Sequence, residues 1–442
     1  MDKNQNDDQS CTAKEREKIG KGWIILVKEE NHSVSRAGER TIAFTDGGVV
    51  DGIVGRTIGP EDLMALGSAL GAEGEVALGH WGGVGAGMLA RAAASGVTAT
   101  GGRALCHSLG CAAQAAWLAQ TYQLNASLFV EQQGERVFLH LFGRDGLPLE
   151  RVREERLEYL IGRREYPRVG AEKVGRVQHL QTTMEDYCRD AVRRARLSKH
   201  TLRTLTVAVP GHAPEERALK QSLSLLGCAV TDTWRAGIPE LGARRGGFAL
   251  TARDERGSFL EPEQLLPLLC LLEMEHGSGK IAVPEGASAA VELVAAGFGS
   301  SCLRLGRDEQ MARELYAAQP WLWDAVFAAV RILSRMSMTG EHLESLMAKT
   351  PRFSLRKREV PLTSTQGAVL RELAREQGQT ASGGGLRLRT GNGWVYVAPL
   401  LRRQALHIMA ESPDMELAAE LCDFYVSRAQ QADRRVREDA EK

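Results

Sequence analysis

The sequence lacks a long hydrophobic run, paired cysteines and an excess of either charge. The longest apolar stretch, Leu265 to Leu272, contains Pro267 and is too short to span a bilayer. Met1 to Lys18 are polar and contain no apolar signal-peptide segment. We therefore expect a cytoplasmic protein without membrane contact, whose residues 1–20 are disordered. Lys plus Arg (56) equal Asp plus Glu (56), so no basic excess indicates a nucleic-acid partner.

Several chemical signatures are also absent. The eight cysteines are scattered without a CxxC pair, which predicts reduced thiols and no disulfide scaffold. There is no HExxH zinc pattern and no GxSxG nucleophile elbow. Gly85, Gly87 and Ala90 have the GxGxxA spacing of a dinucleotide loop, but no acidic residue ends the next strand, Arg103 to Leu105. The sequence thus predicts no cofactor and no metal.

What the chain does have is a repeated pattern. Its 442 residues suffice for roughly two to four domains. Three segments, Gly74–Leu105, Leu205–Asp232 and Gly279–Gly306, each run from an apolar strand through a Gly-containing turn and a helix to a second apolar run. Short strand–helix–strand units of this kind predict parallel strands covered by helices.

The second segment shows the local physics most clearly. Pro214 fits the first helical position, where the missing N–H costs nothing. Leu219, Leu223 and Leu226 recur at helical spacing on one face. Gly227 can then adopt the left-handed conformation that ends a helix. A helix from Pro214 to Leu226 is predicted.

The C-terminal region has a different pattern. Gln377–Gly385 is typical of a flexible loop, and residues 386–397 predict a β-hairpin around Gly391-Asn392-Gly393. Residues 405–411 predict another strand, followed by a helix over Met415–Gln430. We expect the charged tail beyond Asp433 to be frayed. The apolar side of the helix is predicted to carry Leu417, Leu421 and Phe424.

Four motifs, in the same order and spacing, resemble the α-D-phosphohexomutases, the family of phosphoglucosamine, phosphomannose and phosphoglucose mutases. They are Phe44–Gly48 with the helix Pro60–Gly71, Gly143–Leu149, Asp254–Gly257 with Glu263–Leu266, and Gly393–Pro399 with Ala410-Glu411. Together they cover nearly the whole chain from about Ile42.

The resemblance implies a four-domain α/β architecture. Three α/β domains with mixed or parallel sheets are expected, followed by a small C-terminal α+β domain. Their expected bounds are 21–155, 156–260, 261–360 and 361–442.

The resemblance also implies a phosphoserine that donates and retrieves a phosphoryl group. In this sequence Val130 stands at the serine position, and Glu131, Gln132 and Gln133 replace the His-Asn-Pro that follows it. Valine has no hydroxyl to phosphorylate. A shift of three residues would bring Ser127 into the position, which leaves one alternative open.

The family's Mg²⁺ loop is replaced as well. Its alternating aspartates are missing between Gly237 and Gly257, where Arg244 and Arg245 stand instead. Two guanidinium groups repel a divalent cation. The two interpretations are a solvated basic loop and a loop in which guanidinium charge replaces the cation.

Three further family loops depart from the pattern. Gly79–Gly83 replaces the charged loop of the first domain, and the sugar loop is shortened to the segment with Trp321 and Trp323. These tryptophans fit helix packing better than stacking on a sugar. The phosphate clamp is reduced to Arg402 and Arg403, which can bind an anion or be solvated surface groups.

These substitutions predict a catalytically inactive phosphohexomutase homologue that acts as a regulatory or scaffold protein. The expected partner is an active phosphohexomutase or another envelope-sugar enzyme, or a phosphosugar held by Arg402 and Arg403. The alternative is an active mutase with displaced catalytic residues.

Overall fold

The computed structural model describes residues 42–44, 47–108, 110–195, 204–277, 279–305, 310–378, 385–391, 393–400 and 404–440. In these residues four β-sheets of six, five, two and four strands follow one another along the chain. The predicted α/β class with a C-terminal α+β part is confirmed. The N-terminus expected to be disordered, residues 1–20, lies outside the described residues. The domain bounds remain a prediction.

The first sheet is mixed, with strand order β1-β5-β4-β2-β3-β6. Strands β4, β2, β3 and β6 are parallel, whereas β1 and β5 are antiparallel to their neighbours. Its strands are β1 (Val49–Ile53), β2 (Val76–Trp81), β3 (Ala104–Ser108), β4 (Ala126–Gln133), β5 (Arg136–Phe142) and β6 (Val177–His179), and its helices are α1 (Pro60–Gly71), α2 (Val84–Ala99), α3 (Ala112–Thr121), α4 (Arg151–Arg163) and α5 (Thr183–Ala195).

The second sheet has the order β11-β10-β9-β7-β8, and the third pairs β12 with β13 in parallel. The second comprises β7 (Thr206–Ala208), α6 (Pro214–Leu226), β8 (Ala229–Thr231), β9 (Glu240–Ala243), β10 (Leu250–Arg253) and β11 (Phe259–Leu260). The third region comprises α7 (Pro262–Glu275), β12 (Ile281–Pro284), α8 (Ala290–Gly297), β13 (Cys302–Leu305), α9 (Gln310–Ala318), α10 (Ala325–Thr339) and α11 (Leu343–Met347).

The fourth sheet is antiparallel throughout, with the order β14-β17-β16-β15. The predicted hairpin is confirmed as β15 and β16, and the further strand as β17. This region comprises β14 (Ser354–Pro361), α12 (Gln366–Glu376), β15 (Leu386–Thr390), β16 (Gly393–Leu400), β17 (Ala405–Ser412) and α13 (Met415–Ala440).

All three predicted strand–helix–strand units are present. The pairs β2–β3, β7–β8 and β12–β13 are each parallel, and a helix connects the two strands of each pair. Helix α6 begins at Pro214, as expected, and ends at Gly227, whose φ of 100° is the predicted left-handed cap. The local signals therefore determine these units correctly.

One large apolar core links the first three sheets. It contains Trp117 of α3, Leu219 of α6, Leu268 of α7 and Phe327 of α10, all buried. None of the described helices combines the length and the apolar character that crossing a bilayer requires.

The C-terminal helix differs from the prediction in two respects. It continues to Ala440 instead of fraying beyond Asp433. Its side against the sheet consists of Ala418, Cys422, Tyr425, Ala429 and Ala432, all buried, whereas Phe424 is 54% exposed. The predicted apolar side is therefore wrong at Phe424, whereas Leu421 is half-buried and packs against the same core.

Asp433 explains why the tail stays helical. Its carboxylate accepts hydrogen bonds from the backbone N–H of Thr363 (2.9 Å) and of Ser364 (2.7 Å), and from the Thr363 hydroxyl (2.8 Å). Asp433 is buried, and Arg435 beyond it pairs with Glu372 and Glu376 of α12. The end of the helix is therefore held by polar contacts, not by apolar periodicity.

Replacing Asp433 with Ala should destabilise the protein by about 1–3 kcal/mol, because two backbone N–H groups lose their acceptor. Urea unfolding measures the loss, and hydrogen exchange should show faster exchange near residues 430–440. Asp423→Ala, an exposed position on the same helix, is the matched control and should change stability little. Equal stabilities of the two variants would contradict this role for Asp433.

Candidate functional site

The chain around Val130 is a regular strand, not a loop. Val130 lies in the middle of β4, between His80 of β2 and Leu139 of β5, and its side chain is completely buried in the core of the first sheet. Strand β4 continues to Gln133, which pairs with Arg136 across a tight turn. The position that the resemblance assigns to the phosphoserine is thus part of the sheet.

Ser127, the alternative nucleophile, is also in β4. It pairs with Phe142 of β5, its side chain is completely buried, and its hydroxyl has no hydrogen-bond partner among the described residues. Because side chains alternate along a strand, Ser127 shares a face with Phe129 and not with Val130. A three-residue shift in the alignment therefore leads to another buried position.

The segment at the position of the metal loop connects β9 with β10. Residues 244–249 contain no carboxylate, and in the described part of the chain no group of acidic, His or Cys side chains could hold a metal ion. Arg244 is 48% exposed and pairs with Glu261, just before α7. Arg245 begins a short 3-10 turn, Arg245–Gly247.

This turn packs directly on α3 of the first sheet. At Gly247, with φ of 87°, an added Cβ would lie 3.0 Å from Cβ of Ala113 and 3.4 Å from Sγ of Cys111. A glycine is required because the backbone is left-handed and the approach is close. The segment therefore lies against the first sheet instead of facing an open cleft.

Aromatic side chains meet where the first three sheets converge. Phe129 and Phe142 come from the first sheet, Phe248 from the β9–β10 connection, and Trp323 from the residues just before α10. The rings of Phe142 and Phe248 have centroids 5.5 Å apart, a favourable aromatic contact. We call these four residues the central junction. Its packing is that of a protein core.

The two tryptophans of the shortened loop take different positions. Trp323 is buried at the central junction, and its indole N–H donates to the Tyr316 carbonyl at 2.9 Å. Trp321 stacks on the guanidinium of Arg331, 4.7 Å from its ring centroid. Helix packing, the favoured interpretation, describes both contacts.

A cavity of about 190 Å³ remains beside the central junction, between the second sheet and α10. Its walls are mainly apolar, and the carboxylates that line it belong to Glu263 and Asp324. The Glu263 carboxylate is paired with Lys357 at 2.5 Å, and the Asp324 carboxylate accepts a hydrogen bond from the Tyr187 hydroxyl. The apolar wall includes Leu250, Leu266, Leu269, Tyr316, Trp321 and Leu322.

Asp324 is a buried polar group that the sequence reasoning missed. Its carboxylate accepts hydrogen bonds from the Tyr187 hydroxyl (2.8 Å) and from the N–H groups of Val326 (2.9 Å) and Phe327 (3.2 Å), so it caps α10. Burial raises the pKa of Asp324 to about 7, although these hydrogen bonds act to lower it. The sequence did offer a signal for this cap, because Asp324 stands immediately before the apolar helix that starts at Ala325.

Further polar contacts join the sheets around the junction. Arg217 of α6 lies over the ring of Trp81 in β2, with its guanidinium carbon 4.5 Å from the ring centroid. Glu131 contacts His140 at 3.3 Å. Burial, with Glu216 and Glu131 nearby, raises the pKa of Glu215.

The Gly-rich loop before α2 is filled by a side chain of the protein. The Gln132 amide oxygen accepts from the backbone N–H of Ala86 at 2.9 Å, at the start of the helix where a bound pyrophosphate would be expected. The loop of Gly79–Gly83 thus faces Gln132. Its geometry offers no support for the dinucleotide alternative at Gly85 and Gly87.

The two predicted phosphate ligands, Arg402 and Arg403, lie outside the described residues. Their role as an anion clamp stays a prediction. Every cysteine in the described part of the chain is a free thiol.

The buried Asp324 generates a pH-dependence that can be measured. Its folded-state pKa of about 7 lies above the ordinary aspartate value of 3.8, so the native state loses stability as the pH rises from about 4 to about 7. Asp324→Asn removes this dependence of stability on pH and keeps a side-chain oxygen that can cap α10. Urea unfolding at pH 4.5 and pH 7.5 should show the variant gaining, relative to the native protein, on the order of a few kcal/mol at the higher pH.

Asp190 provides a control of opposite sign. Burial acts to raise its pKa, but hydrogen bonds from Arg193 and Trp117 outweigh burial, so the pKa is lowered. Its stabilising effect is present above its unfolded pKa and is lost as the pH falls. Asp190→Asn should therefore lose about the same stability at pH 4.5 and at pH 7.5, and less at a pH well below the ordinary Asp value of 3.8. Identical pH slopes for Asp324→Asn and the native protein would contradict the assignment.

Comparison with known proteins identifies relatives over most of the chain, although no family model matches it. A probable phosphoglucosamine mutase of Methanosarcina acetivorans is 24% identical over an alignment of 413 positions that covers 82% of this chain and 94% of that protein. A second probable phosphoglucosamine mutase, from Methanosarcina barkeri, is 22% identical over an alignment of 417 positions that covers 82% of this chain and 94% of that protein.

Solved structures agree with these relatives. A phosphoglucomutase/phosphomannomutase family protein from Burkholderia thailandensis has a TM-score of 0.71 at 13% identity, covering 88% of this chain and 97% of its own. The predicted resemblance and fold are confirmed. The chain is a distant relative of the phosphoglucosamine mutases and has the fold of the α-D-phosphohexomutase superfamily.

Proposed function

We propose that this phosphohexomutase homologue does not catalyse the mutase reaction and acts instead as a regulatory or scaffold protein. The observation that carries the proposal is the position of Val130. It is completely buried in a continuous strand, where the resemblance requires an accessible phosphoserine.

The chemistry of phosphoryl transfer supports this reading. Catalysis of this reaction relies on positioning and on neutralising charge, so it needs a nucleophile, a hard cation held by carboxylates, and fixed donors for phosphate. Val130 supplies no hydroxyl, and the β9–β10 connection supplies no carboxylate. Two of the three requirements are therefore unmet at the expected positions.

The cavity beside the central junction is also a poor match for a sugar. A hexose buries hydroxyl groups, each of which needs a hydrogen-bond partner. Glu263 is paired with Lys357 through Oε1, and Asp324 is bonded to Tyr187. Among the described side chains of the lining, Oε2 of Glu263 and Nε1 of Trp321 have no hydrogen-bond partner, and two such atoms are too few for the hydroxyl groups of a hexose. Binding of a phosphosugar would rest on Arg402 and Arg403 and remains a separate expectation.

A scaffold role assigns a purpose to what the chain retains. The strand–helix–strand units and the packing between the first three sheets are complete. The chain then presents to a protein partner an outer surface with the shape of the superfamily fold. We propose an active phosphohexomutase or another envelope-sugar enzyme as that partner.

The names of the relatives favour a second candidate. Both archaeal relatives are probable phosphoglucosamine mutases, and the matches span 94% of their length. This chain would then be a working mutase with displaced catalytic residues. Ser127, the hydroxyl nearest in sequence, would have to leave β4 to be phosphorylated, because its side chain is completely buried.

A coupled assay distinguishes the two candidates. We expect the purified chain, supplied with Mg²⁺, glucosamine 1-phosphate or glucose 1-phosphate, and the matching 1,6-bisphosphate, to give no turnover above a blank without protein. Val130→Ser should remain inactive, because a hydroxyl alone supplies no cation site. A verified phosphoglucosamine mutase in the same assay is the positive control. Turnover that Ser127→Ala abolishes would establish the second candidate instead.

A further inference from the structure

A second cavity lies between the C-terminal end of α7 and the middle of α10, apart from the central junction. Its volume is about 180 Å³, enough for a small oxyanion with a few waters. The wall combines two guanidinium groups and an imidazole with a carboxylate and an apolar side chain. The lining residues are Leu272, Glu275, His276, Arg331 and Arg335.

Arg331 is the central feature of this cavity. Its side chain is 1% exposed, and its Nη2 donates to Oε2 of Glu273 at 3.1 Å and more weakly to the Leu272 carbonyl at 3.4 Å. Its Nε and Nη1 are buried and have no hydrogen-bond partner among the described residues. Buried N–H donors almost always have an acceptor, so these two indicate one outside the described residues, and a bound oxyanion would supply it.

Arg335 lies one helical turn further along α10, on the same face. It pairs with Glu275 through Nη2 at 3.0 Å, while its Nε is buried without a partner in the described chain. Three guanidinium nitrogens of the two arginines, with four N–H bonds, thus lack an acceptor in the described chain beside one cavity. Such donors form strong charge-assisted hydrogen bonds with oxyanions.

The charge of the wall is compatible with a bound anion. Glu273 and Glu275 each pair with one of the arginines, so the four charged groups sum to zero. Burial and the nearby charge of Arg331 lower the pKa of His276, so its neutral imidazole lines the wall at neutral pH. The two carboxylates lower the affinity for an anion, so the removal of one of them is a test of the site.

We propose that this cavity is a binding site for a small oxyanion, such as inorganic phosphate, sulfate or the carboxylate of a small metabolite. Nε and Nη1 of Arg331 and Nε of Arg335 donate to the anion, and His276 lies beside it. Helix α10 leads from this site to Asp324, about 10 Å away along the helix axis.

Isothermal titration of the full chain at constant ionic strength tests the proposal. Inorganic phosphate, sulfate and acetate are the probes, and chloride is the reference salt. We expect saturable binding of at least one oxyanion. Arg335→Gln should weaken it about tenfold or more, because a charge-assisted hydrogen bond is lost. Arg371→Gln, at an exposed position on α12, should leave the affinity unchanged.

Glu275→Gln gives a test that does not depend on a loss of function. Removing this carboxylate from the wall should tighten anion binding severalfold, which an unfolded variant cannot mimic. The double variant Arg402→Gln/Arg403→Gln removes the anion clamp expected in the C-terminal region, and binding in the cavity that Glu275→Gln tightens should persist in it.

Three results would overturn the proposal. One is the absence of saturable binding for every probe, which would mean that the cavity holds water only. Another is native-like affinity in both Arg335→Gln and Glu275→Gln. The third is loss of binding in Arg402→Gln/Arg403→Gln, which would move the anion to the C-terminal arginines.

Discussion

The close packing of the first three sheets at the central junction is the constraint on which the rest of the structure depends. The rings of Phe142 in β5 and Phe248 in the β9–β10 connection are in contact at an interplanar angle of 45°, and Trp323 belongs to the same cluster. This contact holds the β9–β10 connection against α3, where Gly247 permits the approach. Aromatic and apolar surface therefore fills the region in which phosphoryl transfer would need charged groups and water exclusion around a substrate.

Helix α10 connects this packing with the polar chemistry of the interior. Asp324 caps its first turn and bonds to Tyr187 of α5, and Arg331, about two turns later, pairs with Glu273 of α7. Both groups are buried, so each fixes the helix relative to a neighbour at a cost in desolvation. A helix held at two polar points is suited to transmit a change at one point to the other.

The sequence predicted those features that arise from local physics. The helix at Pro214, its glycine end, the parallel units and the C-terminal hairpin depend on neighbouring residues and were correct. Collinear motifs also gave the superfamily fold, and Val130 could be placed by counting. The central junction could not be predicted, because Phe129, Phe248 and Trp323 are far apart in sequence. The prediction of the buried face of α13 was wrong at Phe424 for a related reason. Small side chains such as Ala418 and Cys422 face the strands there, and apolar periodicity does not reveal them.

The most direct test of the central claim is the intact mass of the chain before and after incubation with Mg²⁺ and a hexose or hexosamine 1,6-bisphosphate. A mutase of this family would carry or acquire one phosphoryl group on serine. The account predicts an unchanged mass in both samples, because Val130 has no hydroxyl and Ser127 is buried within β4. A stable phosphoserine mapped to β4, or to any segment that reaches the central junction, would contradict it.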